Sequence, residues 1–189
     1  MTLLILGLAL FLGIHTFTTM RGARAAAIGR LGEGGYKGLY SLVAAVGLVL
    51  IVIGFGRYRS AGYIQIWNPP VSLLHPIALF LLWFAFVALT AAYAPAGRIK
   101  SLLRHPMLVA VKAWALSHLL VNGDLGSMLL FGGLLAWAVY DRIAVRRRGD
   151  PGAAAAGWSF NDLLVVIIGS AAYIAMFWLH DTLVGVTAA

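Results

Sequence analysis

The chain contains no cysteine, which excludes disulfides, thiolate metal ligands and thiol nucleophiles together. Charge is scarce as well. Asp, Glu, Lys and Arg make up 11% of the residues, against about 25% in soluble domains. Polar surface is too small to cover a globule in water, and 62% of the residues are hydrophobic. Acids are the rarest group, six against 14 Lys and Arg. None falls inside an apolar run, so carboxylate-pair chemistry has no place within a membrane. Also missing are a His-Glu-x-x-His helix, a zinc ribbon, a phosphate-binding Walker loop, a Gly-x-Gly-x-x-Gly turn and a nucleophile elbow.

What remains is a set of long uncharged segments. Residues 1–20, 38–56 and 60–97 carry no Asp, Glu, Lys or Arg, and 163–180 is uncharged apart from its terminal histidine. Runs of about 18 or more such residues read as transmembrane helices. Six are expected, over residues 2–20, 37–56, 72–93, 106–122, 125–141 and 161–181. The turn chemistry of Asn122-Gly123-Asp124 divides the fourth from the fifth and implies a tight hairpin. Ser159 to Asp162 offers an N-cap for the last helix. The expected fold is all-α, a polytopic membrane helix bundle of six transmembrane helices, with residues 1–189 as one domain. The first segment lacks a basic leader and is followed by "RGARAAAIGR", unlike a cleaved signal peptide.

The net charge of +8 would raise nucleic acid as a partner in a soluble protein. Here its distribution points to topology and to no nucleic acid. The first loop holds Arg21, Arg24, Arg30 and Lys37, the third Arg98, Lys100 and Arg104, and the fifth Arg142, Arg146, Arg147 and Arg148. The second loop holds only Arg57 and Arg59, and the fourth none. Basic loops stay cytoplasmic, so both termini are expected on the opposite, periplasmic side. Lys112 lies inside the fourth segment, where its stem is expected to carry its charge to the cytoplasmic surface.

An ionisable residue inside a span is a functional candidate, because it costs a few kcal/mol even on lenient insertion scales. Trp114, His118 and Asn122 are spaced i, i+4, i+8 and share a helical face, with small Ala115 beside the imidazole. His118 reads either as a ligand or as a core histidine hydrogen-bonded to a neighbouring helix. His15 lies in the first segment on a face with Leu8, Phe11, Leu12, Thr18 and Thr19. It reads either as a ligand or as an interhelical hydrogen-bond donor. Arg21 and Arg24 suit interfacial anchoring to lipid, and they suit pairing with carboxylates. His75 and His105 both precede proline, as expected at helix starts, and Arg104 and Lys112 lie near His105. His180-Asp181 reads as an exposed terminal pair, and Asp124 as a turn or cap residue. Two histidines on different helices without membrane carboxylates suit axial ligation of haem iron.

Four stretches, "GIHTFTTMRG", "YKGLYSLVA", "RHPM" and "WALSHLLVNGD", together resemble the NnrU family of membrane proteins over nearly the whole chain. The resemblance implies a bacterial inner-membrane protein associated with nitrite and nitric oxide reduction in denitrification. It also implies kinship with the zeta-carotene cis/trans isomerase, a membrane haem b enzyme. By that kinship His15 and His118 match the iron ligands, Trp114 lines the macrocycle, and Arg21, Arg24 or Arg104 pairs with haem propionates. The isomerase carries a cysteine three residues before its later histidine. Ala115 stands there in this chain, so exchange between Cys and His ligands is impossible.

Axial ligands of one iron must sit at similar depths. With a rise of about 1.5 Å per residue, His15 lies roughly 8 Å from the cytoplasmic end of its helix and His118 roughly 18 Å from Pro106. If Lys112 marks the membrane boundary the mismatch shrinks. If it does not, His105 competes as partner for His15. Three functions stay open: a haem-dependent isomerase acting on an apolar polyene, a haem protein serving electron transfer with a redox partner or reductase maturation, and a membrane subunit without cofactor.

Overall fold

In the computed structural model, residues 1–185 are described. Seven α-helices follow in order: α1 (Thr2–Thr19), α2 (Arg21–Ser60), α3 (Val71–Tyr93), α4 (Arg98–Leu103), α5 (Pro106–Val121), α6 (Leu125–Arg147) and α7 (Phe160–Val184). No strand occurs among the described residues, only an isolated bridge between Gln65 and Asp124. Five helices, α1, α2, α3, α6 and α7, are long and apolar enough to cross a membrane, and α5 is a shorter apolar helix. The six apolar segments of the sequence are therefore six helices of an all-α protein. Large apolar side chains such as Val52, Leu73, Phe80 and Trp178 face outward, which a protein surrounded by water does not sustain over so wide a surface. This is a membrane protein.

Four features differ from the sequence reading, although α3 itself begins within one residue of its expected bound. The segment expected as the first loop is helical: α2 begins at Arg21 and runs 40 residues, broken only at Gly32, which takes φ 71° and ψ 165°. Arg and Ala are strong helix formers, so "RGARAAA" continues as helix despite its charge, and glycine supplies the left-handed break. The helix carrying Pro76 starts five residues earlier, at Val71, so Pro76 lies inside it and His75 is not a helix-start residue. Pro70 makes that start instead, its carbonyl accepting from the N–H groups of Leu73 and Leu74 at 3.0 Å each. The loop after α3 contains a six-residue helix, α4. Finally, α6 extends to Arg147, carrying Arg142 and Arg146 on helix rather than loop.

The residues fall into two compact units: Met1–Pro69 with Asn122–Ala144, and Pro70–Val121 with the described residues from Val145 onward. In the first unit α1 and α2 pack backbone to backbone. Leu4, Gly7 and Leu8 of α1 and Gly47, Ile51, Gly54 and Tyr58 of α2 are buried. A Cβ at Gly7 would lie 2.6 Å from the Ile51 nitrogen and 2.8 Å from the Gly47 oxygen. Only glycine permits that approach, the usual device of helix pairs in membranes, where small residues replace the hydrophobic drive. Residues 64–67 pair with the turn before α6: Ile66 and Trp67 donate to the Gly123 carbonyl at 2.9 and 3.1 Å, and Leu125 donates to Ile64 at 2.8 Å. Asp124 is buried, caps α6 through the Ser127 N–H at 3.0 Å and lies 3.7 Å from Arg59. The expected turn and structural role of Asp124 are both present.

In the second unit α3 packs against α5 and α7. Val87, Ala91 and Val165 form its buried centre, and Trp83 Nε1 donates to Ser170 Oγ at 2.9 Å. Lys100 Nζ closes the end of α3, donating to the carbonyls of Ala92 and Ala94 at 3.0 and 2.6 Å. Buried Asp162 ties three segments together. Its carboxylate accepts from the N–H groups of Arg98 (3.0 Å), Ile99 (2.7 Å) and Ser159 (2.8 Å), and from Ser159 Oγ (3.2 Å). Ser159 and Asp162 thereby form the capping box of α7. Asp162→Ala strands three backbone donors at once and is expected to lower stability by about 2–3 kcal/mol, read as a lower melting temperature in detergent. Ser159→Ala, which removes only the hydroxyl, costs about 1 kcal/mol.

Candidate functional site

His15 lies one turn from the C-terminal end of α1, in the first unit. Its Nδ1 is 2.6 Å from the Phe11 carbonyl of its own helix. A carbonyl oxygen only accepts, so Nδ1 carries the proton and Nε2 keeps its lone pair. The nearby threonines do not bond the ring: Thr18 Oγ1 donates to the His15 carbonyl and Thr19 Oγ1 to the Thr16 carbonyl, each at 2.7 Å. Three aromatic rings surround the imidazole instead. Phe11 is 4.2 Å away between centroids, and Tyr40 of α2 and Trp137 of α6 are each 5.4 Å away, edge-on.

His118 repeats the arrangement in the second unit. Its Nδ1 is 2.8 Å from the Trp114 carbonyl, four residues earlier, and the Trp114 ring lies 4.9 Å from the imidazole. Ser117 is fully buried, donates to the same Trp114 carbonyl at 2.7 Å and stands 3.3 Å from His118 Nδ1. Ala115 is fully buried. The hydrogen bond is again intrahelical and again fixes the Nδ1–H tautomer. The i−4 carbonyl fills the place that second-shell acceptors hold behind metal-bound histidines, fixing both ring orientation and the ligating nitrogen.

The remaining candidates divide between the units. Arg21 and Arg24 are exposed at the start of α2, and the Arg24 guanidinium lies 5.8 Å from the Tyr36 ring. Arg104 is exposed in the second unit and takes φ 59°, unusual for a residue with a side chain. Its carbonyl accepts from the Ala153 N–H at 2.8 Å. His105 Nε2 is buried without a partner and lies against Gly152, where an added Cβ would come within 2.8 Å of it. His15, Arg21 and Arg24 thus share one unit, and Trp114, His118, Arg104 and His105 the other. Among the described residues no three His, Asp or Glu gather to hold a bare metal ion.

Tyr40 and Trp137 escaped the sequence reading. A tertiary contact has no period, although the i, i+4 pair Tyr36 and Tyr40 and the i, i+3 pair Trp137 and Tyr140 were visible signals of aromatic helix faces. Three buried polar side-chain atoms among the described residues of this unit lack partners, Tyr36 Oη, Ser127 Oγ and Trp137 Nε1. An unmet buried donor costs about 1–3 kcal/mol.

Apolar helices, two of which carry a histidine bound through Nδ1 to its own helix, define an α-helical membrane protein. The chain belongs to the NnrU family: the family model described as NnrU protein matches residues 3–188. No curated protein and no solved structure matches the chain.

Proposed function

We propose that this NnrU-family protein binds haem b in the bacterial inner membrane, with His15 and His118 as its iron ligands. The observation that carries the reading is the shared Nδ1–H bond to the i−4 carbonyl, the second-shell arrangement in which Nε2 is the nitrogen a metal would take. His105 fits less well, since its Nε2 is turned against Gly152. Each ring has aromatic company within its own unit, Phe11, Tyr40 and Trp137 around His15 and Trp114 beside His118. Arg21 and Arg24, exposed at the start of α2, and Arg104 are cations available to propionates or to lipid phosphates. Haem supplies a one-electron centre within the apolar protein. The chain itself holds the two imidazoles in one tautomer and excludes thiolate.

Imidazole as the only ligand type suits a role in electron transfer with a redox partner, or in reductase maturation, associated with nitrite and nitric oxide reduction. A haem-dependent cis/trans isomerase acting on an apolar polyene is the second reading. The apolar surroundings of both histidines favour it, and the absence of cysteine requires an imidazole rather than a thiolate to vacate iron. Incubating the purified protein with a cis-polyene and resolving isomers by chromatography separates the two: no conversion above the haem-only rate excludes the isomerase.

Haem stoichiometry of protein purified from haem-replete cells tests the cofactor. One haem per chain is expected, retained in His75→Ala and His180→Ala. Equal loss in these variants and in the proposed-ligand variants would mean unfolding, not ligation. For topology, the basic residues put both termini in the periplasm. A C-terminal alkaline phosphatase fusion is expected to be active and a fusion after Arg104 inactive; the reverse pattern would invert the protein.

A further inference from the structure

Of the three partnerless buried groups of the first unit, Ser127 Oγ lies at the start of α6, and the other two are linked to the surroundings of His15. Trp137, whose Nε1–H is buried and unmet, stands against His15, and Tyr40 stands against the same imidazole. Tyr36, with its unmet hydroxyl, precedes Tyr40 by four residues and so lies one turn along the same face of α2. The neighbouring helices place hydroxyls at a matching step. Thr19 follows His15 by one turn, Tyr140 follows Trp137 by one turn, and the two meet at 3.4 Å. Beyond Tyr36 comes the Arg24 guanidinium, 5.8 Å from its ring.

The acids of this unit do not answer these donors. Glu33 pairs with Lys37 at 2.8 Å, Asp124 caps α6 beside Arg59, and Asp141 is already engaged. Two neutral donors and a cation, next to a wall of aromatic rings, complement an anion with two acceptor oxygens on an apolar body. A phosphate brings more charge and more oxygens than these groups satisfy.

We propose that this flank binds a carboxylate carried on an apolar body, with Trp137 Nε1–H and Tyr36 O–H donating to its oxygens and Arg24 balancing its charge. The carboxylate comes either from a haem propionate, in which case the proposal rests on the haem reading above, or from a free apolar acid, in which case it does not.

The test uses acid and ester pairs on the purified full chain in detergent: haemin against haemin dimethyl ester, and oleic acid against methyl oleate. Tyr36→Phe keeps the ring and deletes only the hydroxyl; Trp137→Phe keeps an aromatic side chain and deletes the N–H together with part of the indole. In at least one pair the wild type is expected to hold the acid roughly tenfold more tightly than the ester, about the effect of one or two hydrogen bonds. Each variant should lose most of that preference, and Tyr36→Phe should leave ester binding at the wild-type level. Preference in the haemin pair identifies a propionate as the source, and preference in the oleate pair alone identifies a free acid. Should haemin not bind at all, the haem reading fails and the oleate pair alone decides the present proposal. No preference in either pair, a preference that survives both substitutions, or equal loss of acid and ester in the variants overturns it.

Discussion

His15→Ala and His118→Ala proteins, purified side by side with the wild type, are each expected to lose haem by about tenfold or more, since even loss of an outer-shell partner costs 10–100-fold in metal affinity. The expectation follows from how each ring is held. Its Nδ1 proton is committed to the i−4 carbonyl, at 2.6 Å for His15 and 2.8 Å for His118. Each imidazole is therefore oriented by its own helix, with Nε2 as the nitrogen a metal would take. Alanine removes the ligand but keeps the helix, whose propensity alanine improves. Chain accumulation and melting temperature should therefore fall far less than haem content. His118→Met gives a second readout: a Met/His pair raises the reduction potential relative to two histidines, so a retained haem with an upward-shifted potential would mark position 118 as a ligand. Unchanged haem in either alanine variant removes that residue from the site.

The second large effect concerns the α1–α2 pair. Gly47→Leu is expected to destabilise the protein by about 3 kcal/mol or more, the upper range for forcing volume into a packed contact. A Cβ there would already stand 2.8 Å from the backbone nitrogen of Phe11, and backbone cannot step aside as a side chain can. Gly7→Leu and Gly54→Leu meet the same obstacle, at the backbones of Ile51 and Leu4. Gly13→Ala is the control, because nothing lies within 4 Å of the added carbon. It should be neutral or stabilise α1 by up to about 1 kcal/mol through helix propensity. Melting curves in detergent read both outcomes. Phe11, which packs on His15, belongs to the α1–α2 contact, so the Gly47 variant should also lose haem in step with its folding.

Much of this architecture was written in local chemistry. Uncharged runs marked four of the six apolar helices, Asn122-Gly123-Asp124 divided the remaining apolar stretch before α6, and Ser159 with Asp162 marked the capping box of α7. Helix continuity through Arg21–Leu31 was not legible, because basic residues near a membrane read as a loop while their helix propensity stays high. Pro76 read as a helix start because proline favours the first turn, yet Pro69-Pro70 had already taken that role. The reach of Asp162 to Arg98 and Ile99 spans more than sixty residues and leaves no trace in spacing. The site was legible in part for the same reason. His15 and His118 stand out as ionisable residues in apolar helices, and the i−4 carbonyl bond is local. Tyr36, Tyr40 and Trp137 reach His15 or its flank only through tertiary packing, and aromatic residues in a membrane helix are too common to single out.

The most direct test of the central claim is the absorption spectrum of the purified protein in detergent, oxidised and then reduced with dithionite. Paired imidazoles on haem b predict a Soret band with sharp α and β bands on reduction, the signature of low-spin, six-coordinate iron, lost in both His15→Ala and His118→Ala. A high-spin, five-coordinate spectrum would contradict the paired ligation, and a protein without haem after reconstitution would contradict the cofactor itself.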